Sequence, residues 1–223
     1  MGSSHLDQVW GAYFFDLDGT LIDSLPDITD AANALLAGEG LPPVTMAMVR
    51  GFVGLGVEVF MDRLTAATDL RAEDRARLMP AFIAHYETAA EETRLFPGAR
   101  AALDALAARG HPLGLCTNKP GAPLRHTLRA AGLKATFGAV VAGDTLPRRK
   151  PDPAPLHHAM TLLGATRCLY VGDSETDAET ARAAGVPFLL YAEGIRVSPV
   201  DAIPHDLAFD DFVVLPDLVA ELG

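Results

Sequence analysis

The sequence predicts an α/β protein: a doubly wound parallel sheet with helices on both faces and an inserted all-α helical cap. Three observations predict it. From about residue 99 onward one unit repeats, an Ala- and Leu-rich helical stretch, a glycine, then a short apolar strand. Those strands are continuous apolar runs rather than alternating ones, so both of their faces are covered. Residues 24 to about 92, by contrast, hold no convincing strand. Alternating helices and doubly buried strands bury all their apolar faces in a parallel sheet flanked by helices.

Taken in order, Met1 to His5 (MGSSH) reads as the remnant of an expression tag. It lacks the apolar segment of a signal peptide and is set aside. YFFDLD, residues 13–18, is the first strand. Ser24 is then placed to cap a helix, with Pro26 in its first turn and Asp27 in the favourable N-terminal field. Ile28, Ala31, Leu35 and Leu36 recur along it at helical spacing. Val57, Phe60, Met61 and Leu64 form a second stripe; Leu78, Phe82 and Tyr86 form a third, with a kink expected at Pro80. The LFPGA turn at residues 95–99 closes this insert. The expected division is a core of residues 1–22 and 95–223 and a cap of residues 23–94. The chain leaves the core near Asp23 and returns near Phe96, and two adjacent crossings make a hinge for a lid. In the rest of the chain Gly110, Gly132, Gly164 and Gly185 each end a helix, where a left-handed glycine satisfies the last carbonyls. The strands that follow them lie in HPLGLCTN, KATFGAVVAGD, TRCLYVGD and VPFLLYA.

Composition narrows the function. A chain of 223 residues has ample material for a buried core. Its formal net charge of -11 offers no surplus of cations to displace the counterions of nucleic acid or to hold an anionic membrane surface. Any phosphate it handles must therefore be met by a local arrangement of cations or backbone dipoles. No apolar run reaches the roughly 18–20 residues needed to span a bilayer. Cys116 and Cys168 sit inside apolar runs and read as buried free thiols, which points to a reducing, cytoplasmic setting. A monomer or a homodimer is expected, since apolar faces of the cap are able to pair.

In open parallel sheets ligands bind beyond the carboxyl ends of the strands. Those ends carry Asp16-Leu17-Asp18, Thr117-Asn118-Lys119, Asp144 followed by Lys150, and Asp173-Ser174-Glu175-Thr176-Asp177. One strand-end aspartate is an ordinary cap or turn residue; four polar strand ends at once form a site. Asp16, Asp18, Asp173 and Asp177 crowd together as anions only beside a cation. A small set of hard oxygen ligands, with room for water and a phosphate oxygen, suits Mg²⁺. No zinc spacing occurs, and the adjacent His157 and His158 point to different faces of one helix.

Residues i and i+2 of an extended strand end face the same way, so both carboxylates of DLD reach one phosphate. One can attack phosphorus and carry it as an acyl phosphate; the other can protonate the departing alkoxide and then activate water. Gly19 and Thr20 let the chain turn sharply and present amides to the phosphate. Thr117 offers a hydroxyl and Asn118 a backbone amide. Lys150 supplies the cation that neutralises the transferred group. Lys119 is its rival, set aside because it precedes Pro120 and is expected at a helix start, pointing away.

Together these segments resemble the haloacid dehalogenase superfamily of aspartate-nucleophile phosphotransferases, with DLDGT, Thr117, Lys150 and GDSETD as its four motifs. The resemblance implies that Asp16 is the nucleophile and a Mg²⁺ ligand. It implies that Asp18 is the general acid/base and binds the metal through its carbonyl. Asp173 is implied as a direct metal ligand, and Asp177 as the group that orients metal-bound water or Lys150. Dehalogenases of the superfamily lack the second aspartate, so its presence implies a phosphate ester substrate. The stretches VRGFVGLGVEVFMDR, LCTNKP and VVAGDTLPRRKPDPAPL resemble those of bacterial phosphoglycolate phosphatases, which implies hydrolysis of 2-phosphoglycolate to glycolate and phosphate.

The cap offers two readings of its glycine loop. Amides after Gly51, Gly54 and Gly56, at a helix start near Val57, can receive a carboxylate with Arg50 as charge partner. Equally, the glycines are turn geometry and Arg50 a solvated residue. Two other functions fit the same carboxylates: a sugar-phosphate phosphatase or mutase, which needs extra cap groups for a second phosphate, and a phospho-accepting regulatory module. Asp18 argues against the module, because an acid/base beside the acceptor speeds loss of the phosphoryl group.

Overall fold

The computed structural model describes residues 11–89 and 93–222; the tag-like MGSSH lies outside them. In chain order they form β1 (Ala12–Phe15), β2 (Ile22–Asp23), α1 (Leu25–Gly38), α2 (Met46–Arg50), α3 (Val57–Ala67) and α4 (Arg75–Ala89). There follow β3 (Arg94–Leu95), α5 (Ala99–Ala108), β4 (Leu113–Cys116), α6 (Gly121–Ala130), β5 (Ala139–Val141) and α7 (Ala154–Leu163). The chain ends in β6 (Cys168–Gly172), α8 (Glu175–Ala184), β7 (Phe188–Tyr191), β8 (Leu207–Phe209) and α9 (Leu215–Glu221).

Six strands make one parallel sheet in the order β5-β4-β1-β6-β7-β8. The continuous apolar runs are explained by burial on both faces. Tyr13, Phe15, Leu115, Leu169 and Val171 pack on one side against Leu103 of α5, Leu124 of α6 and Val219 of α9. Phe14, Cys116, Cys168 and Tyr170 pack on the other against Leu156 of α7 and Ala181 of α8. Gly110, Gly132, Gly164 and Gly185 all adopt positive φ, between 65° and 85°, at the helix ends where the sequence places them.

Gly114 is fixed by packing rather than by φ. It pairs with Phe14 across β1 and β4, and a Cβ there falls 2.2 Å from the Phe14 ring. Gly114→Ala is therefore expected to destabilise the protein by about 3 kcal/mol, the upper range for overpacking a core. A shift in the urea midpoint at constant m-value measures it.

The insert is helical. The predicted stripes Ile28, Ala31, Leu35 and Leu36, then Phe60, Met61 and Leu64, then Leu78, Phe82 and Tyr86 share one core, and α1 packs along α4. Three local details bear on the helices. Ser24 precedes α1, but it is already in right-handed helical geometry and its side chain makes no cap bond. Pro80 lies inside α4, which runs on through it as one helix to Ala89. Residues 46–50 form a short extra helix, capped by Thr45, whose hydroxyl accepts from the Met48 amide at 3.3 Å. Where the chain leaves and re-enters the core, β2 and β3 pair antiparallel, Ile22 with Leu95 and Asp23 with Arg94. No helix among the described residues is long and apolar enough to cross a membrane.

Candidate active site

Because the main sheet is parallel, the carboxyl ends of β1, β4, β5 and β6 share one edge. Asp16 follows β1 directly, Thr117 follows β4 and Asp173 follows β6. Leu17 turns into the core while Asp16 and Asp18 on either side of it line the same cavity.

Lys150 reaches this edge from the long loop after β5. Its backbone is clamped by one side chain: the Lys150 amide donates to Asn118 Oδ1 at 3.0 Å and Asn118 Nδ2 donates to the Lys150 carbonyl at 2.9 Å. The buried Lys150 Nζ lies 3.0 Å from Asp16 Oδ1, 2.7 Å from Asp177 Oδ1 and 2.9 Å from the Tyr170 hydroxyl. Burial alone pulls this ammonium down, but Asp16 and Asp177 override it and hold Lys150 above its ordinary value. Asp177 is likewise buried, and Lys150 holds it below the usual carboxylate range against the cost of that burial. Its second oxygen accepts from the Ser174 hydroxyl at 2.6 Å and from the Ser174 amide at 3.2 Å, the latter forming a capping box at the start of α8 with the Asp177 amide, which donates to the Ser174 hydroxyl at 3.3 Å.

Asp173 is held by the turn after β1. The Thr20 hydroxyl donates to its Oδ1 at 2.6 Å, and the Ile195 amide donates to its Oδ2 at 2.6 Å. Gly19 has φ 84°, and a Cβ there would lie 2.4 Å from Asp173 Oδ2, so only glycine serves. The amides assigned to a phosphate from sequence are engaged inside this turn instead: Gly19 donates to the Ile22 carbonyl at 2.9 Å and Thr20 to the Leu17 carbonyl at 3.2 Å. The Thr117 hydroxyl is buried at the same edge and accepts from the Lys119 amide at 3.3 Å.

Two cations lie elsewhere than the sequence placed them. Lys119 does not point away. It is buried, and its Nζ donates to Asp18 Oδ1 at 3.0 Å, contacts the Tyr86 hydroxyl and sits 3.9 Å above the Tyr86 ring. The position before α6 is a helix entrance as expected, but Asp18 draws the side chain inward. Burial lowers the Lys119 ammonium, and Asp18 opposes that. Arg50, read either as a carboxylate's charge partner or as a solvated residue, is half-buried and held by a backbone carbonyl. Its guanidinium donates to the Gly194 carbonyl at 2.9 Å, on the seam between insert and sheet and outside the cavity that Asp16 and Asp18 line.

That cavity has a polar floor and an apolar roof. Asp16, Asp18, Asn118 and Lys119 form the floor; Ile28, Val53, Val57, Phe60 and Phe82 form the roof, with Tyr86 joining the two by donating to Asp18 Oδ1 at 3.1 Å. The helical roof is tied down further by Asn118 Nδ2, which donates to the Gly54 carbonyl at 3.0 Å, and by the ion pair of Arg149 with Glu58. The sequence places Tyr86 only on a helical stripe and gives Tyr170 no role, so it misses both as site residues. Both end in a hydroxyl at a position patterned for burial, and a buried tyrosine needs a polar partner; that is the signal that finds them.

The residues fit a divalent cation. One oxygen each from Asp16, Asp173 and Asp177 lies within 4.8 Å of the others. Four carboxylates, counting Asp18, face the ammoniums of Lys119 and Lys150, which leaves two negative charges. The imbalance registers where a metal would relieve it. Burial pushes Asp16 up to about 6 and Asp173 well above its ordinary value, with Asp177 pressing both upward. Asp177 is engaged by Lys150 and Ser174 and Asp173 by Thr20 and Ile195, whereas the buried Asp16 Oδ1 accepts no hydrogen bond among the described residues, an orphaned oxygen of the kind a hard cation satisfies.

A parallel sheet with an aspartate pair, a buried lysine and an acidic cluster on one edge defines a phosphotransfer-type hydrolase. The chain belongs to the haloacid dehalogenase-like hydrolase family, whose model matches residues 10–185. A phosphoglycolate phosphatase of Cereibacter sphaeroides is 48% identical over 211 residues, covering 93% of this chain and 97% of its own. The phosphoglycolate phosphatase of Rhodospirillum rubrum is 47% identical over 216 residues, covering 92% of this chain and 89% of its own. The crystal structure of a predicted phosphoglycolate phosphatase from Haemophilus somnus superposes with a TM-score of 0.88 at 30% identity, covering 94% of this chain and 97% of that one.

Proposed function

We propose that this hydrolase is a Mg²⁺-dependent phosphatase that converts 2-phosphoglycolate to glycolate and phosphate through an aspartyl-phosphate on Asp16. The observation that carries the reading is the pairing of Asp16 with Asp18 on one cavity, with Lys150 Nζ 3.0 Å from Asp16. A carboxylate oxygen of Asp16 attacks phosphorus, the ester P–O bond breaks, and Asp18 gives its proton to the departing alkoxide. Asp18 then takes a proton from water as the water oxygen attacks the same phosphorus and the acyl P–O bond breaks, freeing phosphate and the Asp16 carboxylate. Lys150 stays protonated throughout and offsets charge on Asp16 and the phosphoryl group. Asp16 and Asp173, with the Asp18 carbonyl, would hold Mg²⁺, which would supply Lewis-acid charge to the phosphoryl oxygens.

The insert of residues 23–94 acts as a lid on the core of residues 1–22 and 95–223, hinged at the β2–β3 pair. Its apolar roof excludes bulk water while the acyl phosphate exists. A sugar-phosphate mutase needs a second phosphate subsite in that roof. No arginine or lysine of the insert lines that roof among the described residues. Two free cysteines, whose thiols burial pushes up to about 12, fit a reducing cytoplasm.

The test is phosphate release from a panel of 2-phosphoglycolate, glucose 1-phosphate, glucose 6-phosphate and pyrophosphate, with and without EDTA. The expected result is a kcat/KM for 2-phosphoglycolate at least about tenfold above every other member, abolished by EDTA. A sugar phosphate at the head of the panel, or full turnover in EDTA, overturns the reading.

A further inference from the structure

The cavity poses a question that Arg50 no longer answers: what meets the end of the substrate that does not react? We propose that Lys119 receives the substrate's carboxylate and selects short phosphorylated acids over neutral phosphate esters. The inference rests on the phosphatase reading above and adds the residue that sets its substrate class.

With the phosphate on Asp16, the remainder of the substrate lies against the floor beside Asp18 and beneath the apolar roof. The charged residues lining this space are Asp16, Asp18 and Lys119. A carboxylate entering here meets repulsion from two aspartates and attraction from one cation. Lys119 is held for the purpose. Its side chain is 1% exposed, the Tyr86 ring lies under its ammonium, and Asp18 anchors it at 3.0 Å. An ammonium has three N–H donors. Asp18 takes this ammonium through Oδ1 at 3.0 Å and through Oδ2 at 3.4 Å, and the Tyr86 hydroxyl is its other side-chain partner among the described residues, so an incoming carboxylate oxygen exchanges for the long Oδ2 contact.

The roof sets the other limit. A sugar's hydroxyls would be buried unpaired against Ile28, Val53, Val57, Phe60 and Phe82, at a cost for each. A two-carbon acid has no such hydroxyls and places its one polar end on Lys119. Size and charge are thus selected by the same wall and the same residue.

The experiment compares kcat/KM for 2-phosphoglycolate with that for ethyl phosphate, which has the same phosphate and no carboxylate. Lys119 also touches Asp18, so Lys119→Met disturbs proton transfer for both substrates, and the ratio between them cancels that shared effect. The ratio is expected to fall on the order of 30-fold, the weight of a charge-assisted hydrogen bond, with the loss for 2-phosphoglycolate carried mainly by KM. Lys119→Arg, which keeps the charge, is expected to keep part of the preference. If Lys119→Met does not fold, Lys119→Gln supports the same comparison. An equal fold-loss for both substrates overturns the inference and leaves Lys119 as a positioning partner of Asp18, with the phosphatase reading intact. A wild-type enzyme that turns over 2-phosphoglycolate no better than ethyl phosphate overturns the inference and the substrate assignment together.

Discussion

Asp16→Asn is expected to lower phosphate release by at least about 10⁴-fold, the scale on which loss of an enzyme's nucleophile is felt. The asparagine fills the same space beside the Lys150 ammonium, which lies 3.0 Å from the aspartate oxygen. An amide, however, does not attack phosphorus. The site's architecture should survive, and that makes the loss interpretable. Stability is expected to move the other way. The Asp16 carboxyl is raised from 3.8 to about 6, chiefly by burial, with Lys150 opposing the shift. A raised acid favours its protonated form in the folded state, so the stability tied to that proton is complete below 3.8 and is lost as pH rises through about 6. Asn carries no such proton. In EDTA at pH 7.5 the variant's unfolding midpoint should therefore equal or exceed that of wild type, and the gap should close as pH falls toward 4. Retention of more than about 1% of turnover in the variant would remove Asp16 from the attacking role.

The sheet and its edge were legible in the sequence because their signals are local. Phe14 and Phe15 are both buried, one on each face, and a strand covered on both sides reads as an unbroken apolar run. Gly164 and Gly185 end helices with φ of 65° and 67°, which only the residue type has to announce. Once the strands were parallel, Asp16, Thr117 and Asp173 had to share an edge. What the sequence hid depends on partners far along the chain. Lys119 turns inward because Asp18, 101 positions away, sits beside it. Arg50 is drawn to the Gly194 carbonyl, 144 positions away, and so leaves the cavity to Lys119. Ser24 has a cap residue's chemistry but not its backbone, since α1 is already helical there. The amides of Gly19 and Thr20 look free in sequence and are engaged within their own turn. Residue type thus located the site, while the direction of each long side chain was settled by tertiary contacts.

Lys150→Met is expected to cost both function and fold, about 3–5 kcal/mol of stability, the range for stranding a buried charge. Lys150 is 2% exposed and bridges Asp16, Asp177 and the Tyr170 hydroxyl. Methionine fills the volume but leaves Asp16, Asp173 and Asp177 clustered without the cation that links two of them. The sign with pH follows from Asp177, which Lys150 holds below its ordinary 3.8 despite burial. Such a depressed acid contributes stability that is present above 3.8 and lost as pH falls through its folded value. Removing Lys150 deletes that contribution, so the gap between variant and wild type is widest near neutrality and narrows in acid. Adding Asp177→Asn to the variant removes the stranded charge while its amide still bonds Ser174. The double variant should be more stable than Lys150→Met alone, with a coupling energy of about 2 kcal/mol in the completed cycle. Phosphatase activity should stay lost in both, because neither restores the cation 3.0 Å from Asp16. Urea midpoints at pH 7.5 and pH 4.5 measure the first two effects. Additive destabilisation in the double variant would show that Lys150 and Asp177 act independently, and would leave the buried pair without a role in fixing the lysine beside the nucleophile.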